Sequence, residues 1–278
     1  MSLTDEEYAK CFDILKQVSC EHAVTVRWFH NTLVPALSHK DRIKILSIGA
    51  GTGDFDEQII ATFSPNMPLE YHFIESNPHH SQELEHRFSE RENNRKFVIH
   101  ACKFPSEEIR SEKFDIIIMA HVLYYFEDRQ QAIVDAMKQL SDDGVLLIVH
   151  QTGLGVNQIQ KQFRVNHNYS CSIQDLANIL DNLGSNYSRA MLPTSLEVTS
   201  IFKNETETSD LLMSFFIETN IKTLSSQQQS DLTNLIKSLS FERAGRFFLF
   251  HPVGILLVAN NQSALAQINI SQFGENLP

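Results

Sequence analysis

The sequence predicts an α/β fold, a mostly parallel sheet with helices on both faces. Short apolar runs recur through the first 150 residues at strand length, and segments of helical period separate them. Glycines close the first run, where a strand would turn into a helix. At 278 residues the chain is about two typical domain lengths, although one α/β domain with an insertion reaches the same size.

Residues 4–18 read as an amphipathic helix. Thr4 can cap it, Glu7 completes a capping box, and Tyr8, Phe12 and Leu15 share one face. A second helix covers about 21–37 and ends near Pro35. Lys44-Ile45-Leu46-Ser47-Ile48 is the first strand and Phe55 to Phe63 the helix after it. Further strands are expected at Leu69–Ile74, Lys96–Ile99, Phe114–Ala120 and Gly144–His150, with helices at Gln82–Arg91 and Arg129–Leu140 between them. Past residue 152 the pattern loosens. Ser172 and Asp175 cap a helix that stops at Gly184, and 190–243 reads as mostly helical. Phe247–Phe250 and Gly254–Ala259 read as an antiparallel pair joined at His251-Pro252-Val253, which would complete the sheet, with a frayed tail after Asn260.

Apolar residues make up 42% and charged residues 21%, an ordinary soluble composition. Lys plus Arg total 23 against 34 for Asp plus Glu, a net charge of −11, which repels phosphate backbones and anionic lipid. Nucleic acid and membrane are therefore not expected as partners, and a cationic or neutral small molecule is. No apolar run reaches membrane-span length, and the acidic first residues lack a secretory core, so a cytoplasmic location is expected. Cys11, Cys20, Cys102 and Cys171 are scattered, so neither a disulfide framework nor a structural zinc site is expected. No apolar stripe asks for a second copy, and a monomer is expected.

The first strand runs into Gly49-Ala50-Gly51-Thr52-Gly53-Asp54. The spacing is G-x-G-x-G. A dinucleotide fingerprint needs its last glycine where Asp54 stands, and a P-loop needs a Gly-Lys-Ser/Thr that is absent. Glu75 ends the second strand about two dozen residues after Gly51, where a carboxylate can accept both hydroxyls of a ribose. Ala120-His121 ends the fourth strand, on the edge where open α/β sheets bind ligands. Glycine loop, ribose carboxylate and strand-four end, in this order, resemble the class I S-adenosylmethionine (SAM)-dependent methyltransferases over about residues 43–150.

A narrower resemblance extends along most of the chain. Ser19-Cys20-Glu21-His22, Lys44 through Gly49, Leu123-Tyr124-Tyr125, Leu180 through Gly184 and, more loosely, Phe250 through Val258 resemble the histamine N-methyltransferase family. The resemblance implies a Rossmann-like sheet of seven strands, mostly parallel with an antiparallel C-terminal strand, plus a helical substrate-binding lobe. It divides the chain into N-terminal helices forming part of a substrate lid (1–40), a SAM-binding core (41–152), a helical substrate region with remaining sheet elements (153–245), and C-terminal antiparallel strands and tail (246–278). It implies SAM as cofactor, S-adenosylhomocysteine as product, and no metal. Implied cofactor contacts are Gly49, Gly51, Gly53, Glu75, His80 and Ala120, with another near Phe104 or Ser106. Implied substrate contacts are Tyr8, Phe12, Glu21, His121, Tyr124, Tyr125 and His251. Read without the resemblance, Glu21 is a solvated helix charge, and Tyr8 and Phe12 are core.

The activity implied is methyl transfer to a ring nitrogen of a small imidazole-containing amine, histamine or a close relative. An amine of pKa about 10.4 costs about 4.6 kcal/mol to deprotonate at pH 7, whereas an imidazole of pKa about 6.5 already offers a lone pair. His121 and His251 are the candidate catalytic groups, able to take or hydrogen-bond the ring proton. They stand where the family carries side-chain amides, and the family's tryptophans in the stretch matching Val156 to Gln160 are absent. Two alternatives stay open: another small amine, amino acid or heteroaromatic substrate on the same fold, or a methyltransferase-like protein that binds without turnover.

Overall fold

The computed structural model describes residues 3–89, 94–163, 171–203, 206–266 and 268. The chain divides into two compact units. The larger comprises Ala23–His150, Cys171–Leu192 and Gly254–Pro278, and the smaller comprises Met1–His22, Gln151–Ser170 and Pro193–Val253.

The larger unit is built on seven strands: β1 (Ile43–Ile48), β2 (Leu69–Ile74), β3 (Arg95–His100), β4 (Phe114–Ala120), β5 (Leu140–Gln151), β6 (Asn186–Leu192) and, later in the chain, β10 (Val253–Ala259). Their order is β3-β2-β1-β4-β5-β10-β6. The first five pair in parallel, with Ile48 beside Ile74, Ile74 beside His100, and Ala120 beside Val149. One strand of the seven runs antiparallel to the rest. The carboxyl ends of β1 and β2 thus lie in line, and those of β4 and β5 likewise.

Period-two alternation divides these strands between two cores. Leu46, Ile48, Ile74 and Ile117 pack with Ala132, Ile133 and Ala136 of α5 (Arg129–Lys138) and with Leu176, Ala177 and Leu180 of α7 (Ile173–Asn182). On the opposite face, Phe73 meets Phe88 of α4 (Pro78–Phe88), ring centres 4.6 Å apart. Helices therefore cover both faces, as expected. Ser172 and Asp175 form the capping box that starts α7. Where a frayed tail was expected after Asn260, Gln262–Ala266 forms α11, and the chain beyond residue 268 lies outside the described residues.

Beneath the loop after β1, Tyr71 of β2 donates a 2.6 Å hydrogen bond to Asp56 of α3 (Asp54–Ala61), which is 1% exposed. Burial pushes the Asp56 carboxyl up to about 6.

The smaller unit holds α1 (Asp5–Val18), with the expected Thr4–Glu7 capping box, then α6 (Val156–Phe163), α8 (Thr199–Phe202), α9 (Thr206–Ile217) and α10 (Ser226–Ser238). It has its own antiparallel sheet, β7 (Ser195–Glu197), β9 (Arg246–Phe250) and β8 (Ser240–Arg243), in the order β7-β9-β8. Val156, Ile159, Leu196, Leu212, Phe216, Leu232 and Leu249 form its core.

Two expectations are corrected. Phe247–Phe250 and Gly254–Ala259 are both strands, but they are not a hairpin: β9 lies in the three-stranded sheet and β10 in the seven-stranded one. A two-residue hairpin wants glycine or asparagine in left-handed turn positions, and His251-Pro252 supplies neither. Hydrogen bonds tie this link elsewhere: His251 N–H donates to the Thr194 carbonyl (3.0 Å), and the Thr152 hydroxyl to the Pro252 carbonyl (3.0 Å). The region 190–243 also carries more strand than expected, with the end of β6, β7 and β8 among its helices.

Candidate active site

The glycine loop is shaped by backbone conformation. Gly49, Gly51 and Gly53 all sit at left-handed φ, +72°, +58° and +79°. At Gly49 a Cβ would stand 2.3 Å from Val122 Cγ2, whereas at Gly51 it would meet nothing within 4 Å. Gly49 N–H donates to the Ile74 carbonyl (2.8 Å), which ties the loop to the end of β2. Gly53 is the N-cap of α3. Asp54, which breaks the dinucleotide fingerprint, pairs with Arg87 of α4 at 2.5 Å, and Glu57 holds the same guanidinium at 2.6 Å.

Glu75 is 8% exposed at the end of β2. Its Oε2 accepts from Gly51 N–H at 2.8 Å and its Oε1 from Asn77 N–H at 2.7 Å, so the carboxylate is fixed against the loop. Each oxygen keeps a second acceptor direction. Asn77 caps α4 through His79 and His80 N–H, with Pro78 in the first helical position. His80 is half-buried and spends its amide on this cap. Ser106 is half-buried and caps a short turn at Glu107–Ile109, while Phe104 lies in the core against Phe126. A fixed carboxylate with two remaining acceptor directions, beside a loop open at Gly51, fits a vicinal diol.

Ala120 ends β4. His121 follows at φ +50°, a left-handed value uncommon outside glycine, and its N–H donates to the Val149 carbonyl at 2.9 Å. The chain then turns through Leu123–Tyr125, with Tyr124 half-buried and Tyr125 exposed. Their rings lie 4.5 Å apart, edge to face at 64°. The sequence reading missed His150 of β5, whose buried ring contacts both His121 (5.8 Å) and Tyr124 (5.3 Å). Its signal was present: an imidazole ends the aliphatic run Val145 through Val149.

The smaller unit gathers other expected residues. Tyr8 and Phe12 of α1 stack at 6.2 Å, and both meet Phe215 of α9, at 5.6 and 6.0 Å. Glu21 stands in the first turn of the helix Glu21–Ala36 (α2), where the helix dipole favours a carboxylate, and its N–H donates to Ser19 Oγ at 3.1 Å. His251 Nδ1 accepts from Val156 N–H at 3.3 Å, so the neutral ring carries its hydrogen on Nε2. Gly155 leaves room for this ring: a Cβ there would stand 2.8 Å from His251 Nδ1. The stretch where tryptophans were missed is the start of α6, with Val156, Asn157, Ile159 and Gln160 buried.

Among the described residues no group of three His, Cys, Asp or Glu side chains could hold a metal ion, and no helix is long and apolar enough to cross a membrane.

A family model described as a methyltransferase domain matches residues 46–146. The chain is 24% identical over 236 residues to histamine N-methyltransferase of Danio rerio, covering 76% of this chain and 80% of the relative. It is 29% identical over 198 residues to the Rattus norvegicus protein of the same name, covering 65% and 67%. It is also 26% identical to carnosine N-methyltransferase 2 of Gallus gallus, covering 72% and 69%. Among solved structures, the YcgJ protein of Bacillus subtilis superposes with a TM-score of 0.54 at 14% identity, over 82% of this chain and 97% of that one. The plantazolicin methyltransferase BpumL, solved with S-adenosylhomocysteine, gives 0.54 at 12% identity over 93% and 92%. The domain match, the relatives and the fold of class I SAM-dependent methyltransferases together support a SAM-dependent methyltransferase, similar along most of its length to histamine N-methyltransferases.

Proposed function

We propose that the chain transfers a methyl group from SAM directly to a ring nitrogen of a small imidazole-containing amine, histamine or a close relative. The observation that carries the reading is the similarity to histamine N-methyltransferases over 65% to 76% of the chain, running well past the methyltransferase domain.

When bound, SAM supplies an activated methyl group on a sulfonium. Gly49, Gly51, Gly53, Glu75, His80, Ser106 and Ala120 are the proposed cofactor contacts. Glu75 would accept the ribose hydroxyls with the lone pairs left over from Gly51 and Asn77. In the larger unit His121, Tyr124 and Tyr125 are the proposed acceptor contacts, the tyrosines offering faces to a ring or a cation. In the smaller unit the roles fall to Tyr8, Phe12, Glu21 and His251. Glu21 would pair with the ammonium and hold that nitrogen charged and unreactive, which leaves the imidazole as nucleophile. The methylated ring must lose its other proton. His121 is the proposed acceptor of that proton, because the Nδ1 of His251 is already occupied by Val156 N–H.

A second reading, another imidazole or amine acceptor, is supported by His121 and His251 standing where the family has amides and by the similarity to carnosine N-methyltransferase 2. A thermal-shift panel followed by product mass tests both. The first reading expects stabilisation by SAM and by histamine and a product 14 mass units heavier than histamine, the ~14 units being one methylene. Stabilisation by SAM with none by histamine or any related amine contradicts it.

A further inference from the structure

The aliphatic run of β5, Val145 through Val149, is buried throughout, and His150 after it is 1% exposed. A valine or isoleucine there would serve the core without carrying polar ring atoms out of water. The register shows what the imidazole does instead. Ala120 pairs with Val149 on the parallel strands β4 and β5, and His121 N–H binds the Val149 carbonyl, so His121 and His150 occupy the next matched positions. Their rings meet nearly perpendicular, at 75° and 5.8 Å. The left-handed backbone of His121 then bends the chain into the Leu123–Tyr125 turn, which brings Tyr124 back onto the same ring at 5.3 Å and 34°. One buried ring is therefore wedged against two half-buried ones at the carboxyl ends of β4 and β5.

We propose that His150 is a positioning residue that fixes the planes of His121 and Tyr124 and thereby decides which ring nitrogen of the acceptor faces the methyl group. The proposal rests on the reading of this enzyme as an imidazole N-methyltransferase. Rings held by packing keep one orientation, and a methyl transfer rewards orientation more than any single contact. The polar atoms of His150 are not needed for this role, so another aromatic ring substitutes for it and an aliphatic side chain does not.

The test compares His150→Val and His150→Phe in the full chain, with histamine as acceptor and S-adenosylhomocysteine as cofactor-site probe. His150→Val is expected to bind S-adenosylhomocysteine within twofold of the parent, to lose tenfold or more in kcat/KM, and to change the ratio of the two ring-methylated products. His150→Phe is expected to recover most of that loss and the parental ratio. In NMR spectra the His121 and Tyr124 ring signals are expected to move in His150→Val and to stay near parental positions in His150→Phe. An unchanged rate and product ratio in His150→Val, equal damage in both variants, or loss of S-adenosylhomocysteine binding alongside activity overturns the proposal. The NMR readout needs no turnover: a parent that fails to methylate histamine contradicts the functional reading, whereas unmoved His121 and Tyr124 signals in His150→Val contradict the positioning role alone.

Discussion

Gly51 N–H donates a 2.8 Å hydrogen bond to Glu75 Oε2, which joins the glycine loop after β1 to the acid at the end of β2. Without that bond Glu75 would be a nearly buried carboxylate held only by Asn77. With it, loop and carboxylate form one preset edge, and the cofactor need not organise it.

Glu75→Gln keeps the side-chain size but removes the charge and places an amide N–H₂ where one oxygen accepts a backbone N–H. The expected outcome is at least tenfold weaker S-adenosylhomocysteine binding by calorimetry. Stability is expected to fall by about 1–3 kcal/mol, the cost of leaving a buried donor unpaired. Unchanged affinity would remove Glu75 from the cofactor site.

Gly49 and Gly51 share a left-handed backbone but not their surroundings. Gly51→Ala is expected to cost about 1–2 kcal/mol of stability, the conformational penalty alone. Gly49→Ala adds a clash with Val122 and is expected to cost about 3 kcal/mol or more. Denaturant unfolding ranks the two, and a larger loss at Gly51 contradicts the loop geometry.

Asp56 and His72 respond to pH in opposite senses. Burial raises the Asp56 carboxyl from 3.8 to about 6, so the folded state holds that proton more tightly than the unfolded one. This stability is present in full below pH 3.8 and is lost as pH rises through 6, a difference of about 3 kcal/mol by pH 7. His72 is buried, with Lys44 adding like-charge repulsion, and is lowered from 6.5 to about 4. Its contribution is full above pH 6.5 and is lost as pH falls through 4. The windows overlap and nearly cancel. Asp56→Asn keeps an acceptor for Tyr71, so it is expected to gain up to about 3 kcal/mol at pH 7 and to weaken on acidification toward pH 4. Urea unfolding at the two pH values checks it, and no gain at pH 7 contradicts it.

Glu21→Gln removes the proposed partner of the acceptor's ammonium. KM for histamine is expected to rise about tenfold, equivalent to about 1.4 kcal/mol, and KM for 4-methylimidazole, which has no ammonium, to stay within about twofold. Equal effects on both acceptors contradict an ionic role.

Much of the fold was legible in the sequence where its signals are local. Ile116 through Met119 and Val145 through Val149 are strands by composition alone, and the Thr4–Glu7 and Ser172–Asp175 boxes fix helix starts within one turn. Elements that depend on distant neighbours were not legible. β6 is a sheet-edge strand whose half-polar alternation hides it, and β9 and β10 part company because His251-Pro252 is anchored to Thr194 and Thr152. At the candidate site, the order of glycine loop and Glu75 could be read from spacing. The Gly51–Glu75 bond, the Asp56–Tyr71 pair and the His121–His150–Tyr124 cluster could not, since each joins different elements through the sheet register or a helix–strand packing.

The most direct measurement is incubation of the protein with histamine and SAM labelled with carbon-13 in its methyl group, followed by NMR of the small molecules. The account predicts a labelled N-methyl signal on an imidazole ring nitrogen, with the Glu75→Gln variant giving far less of it. A label that stays on the cofactor, or appears on the side-chain amine, would contradict it.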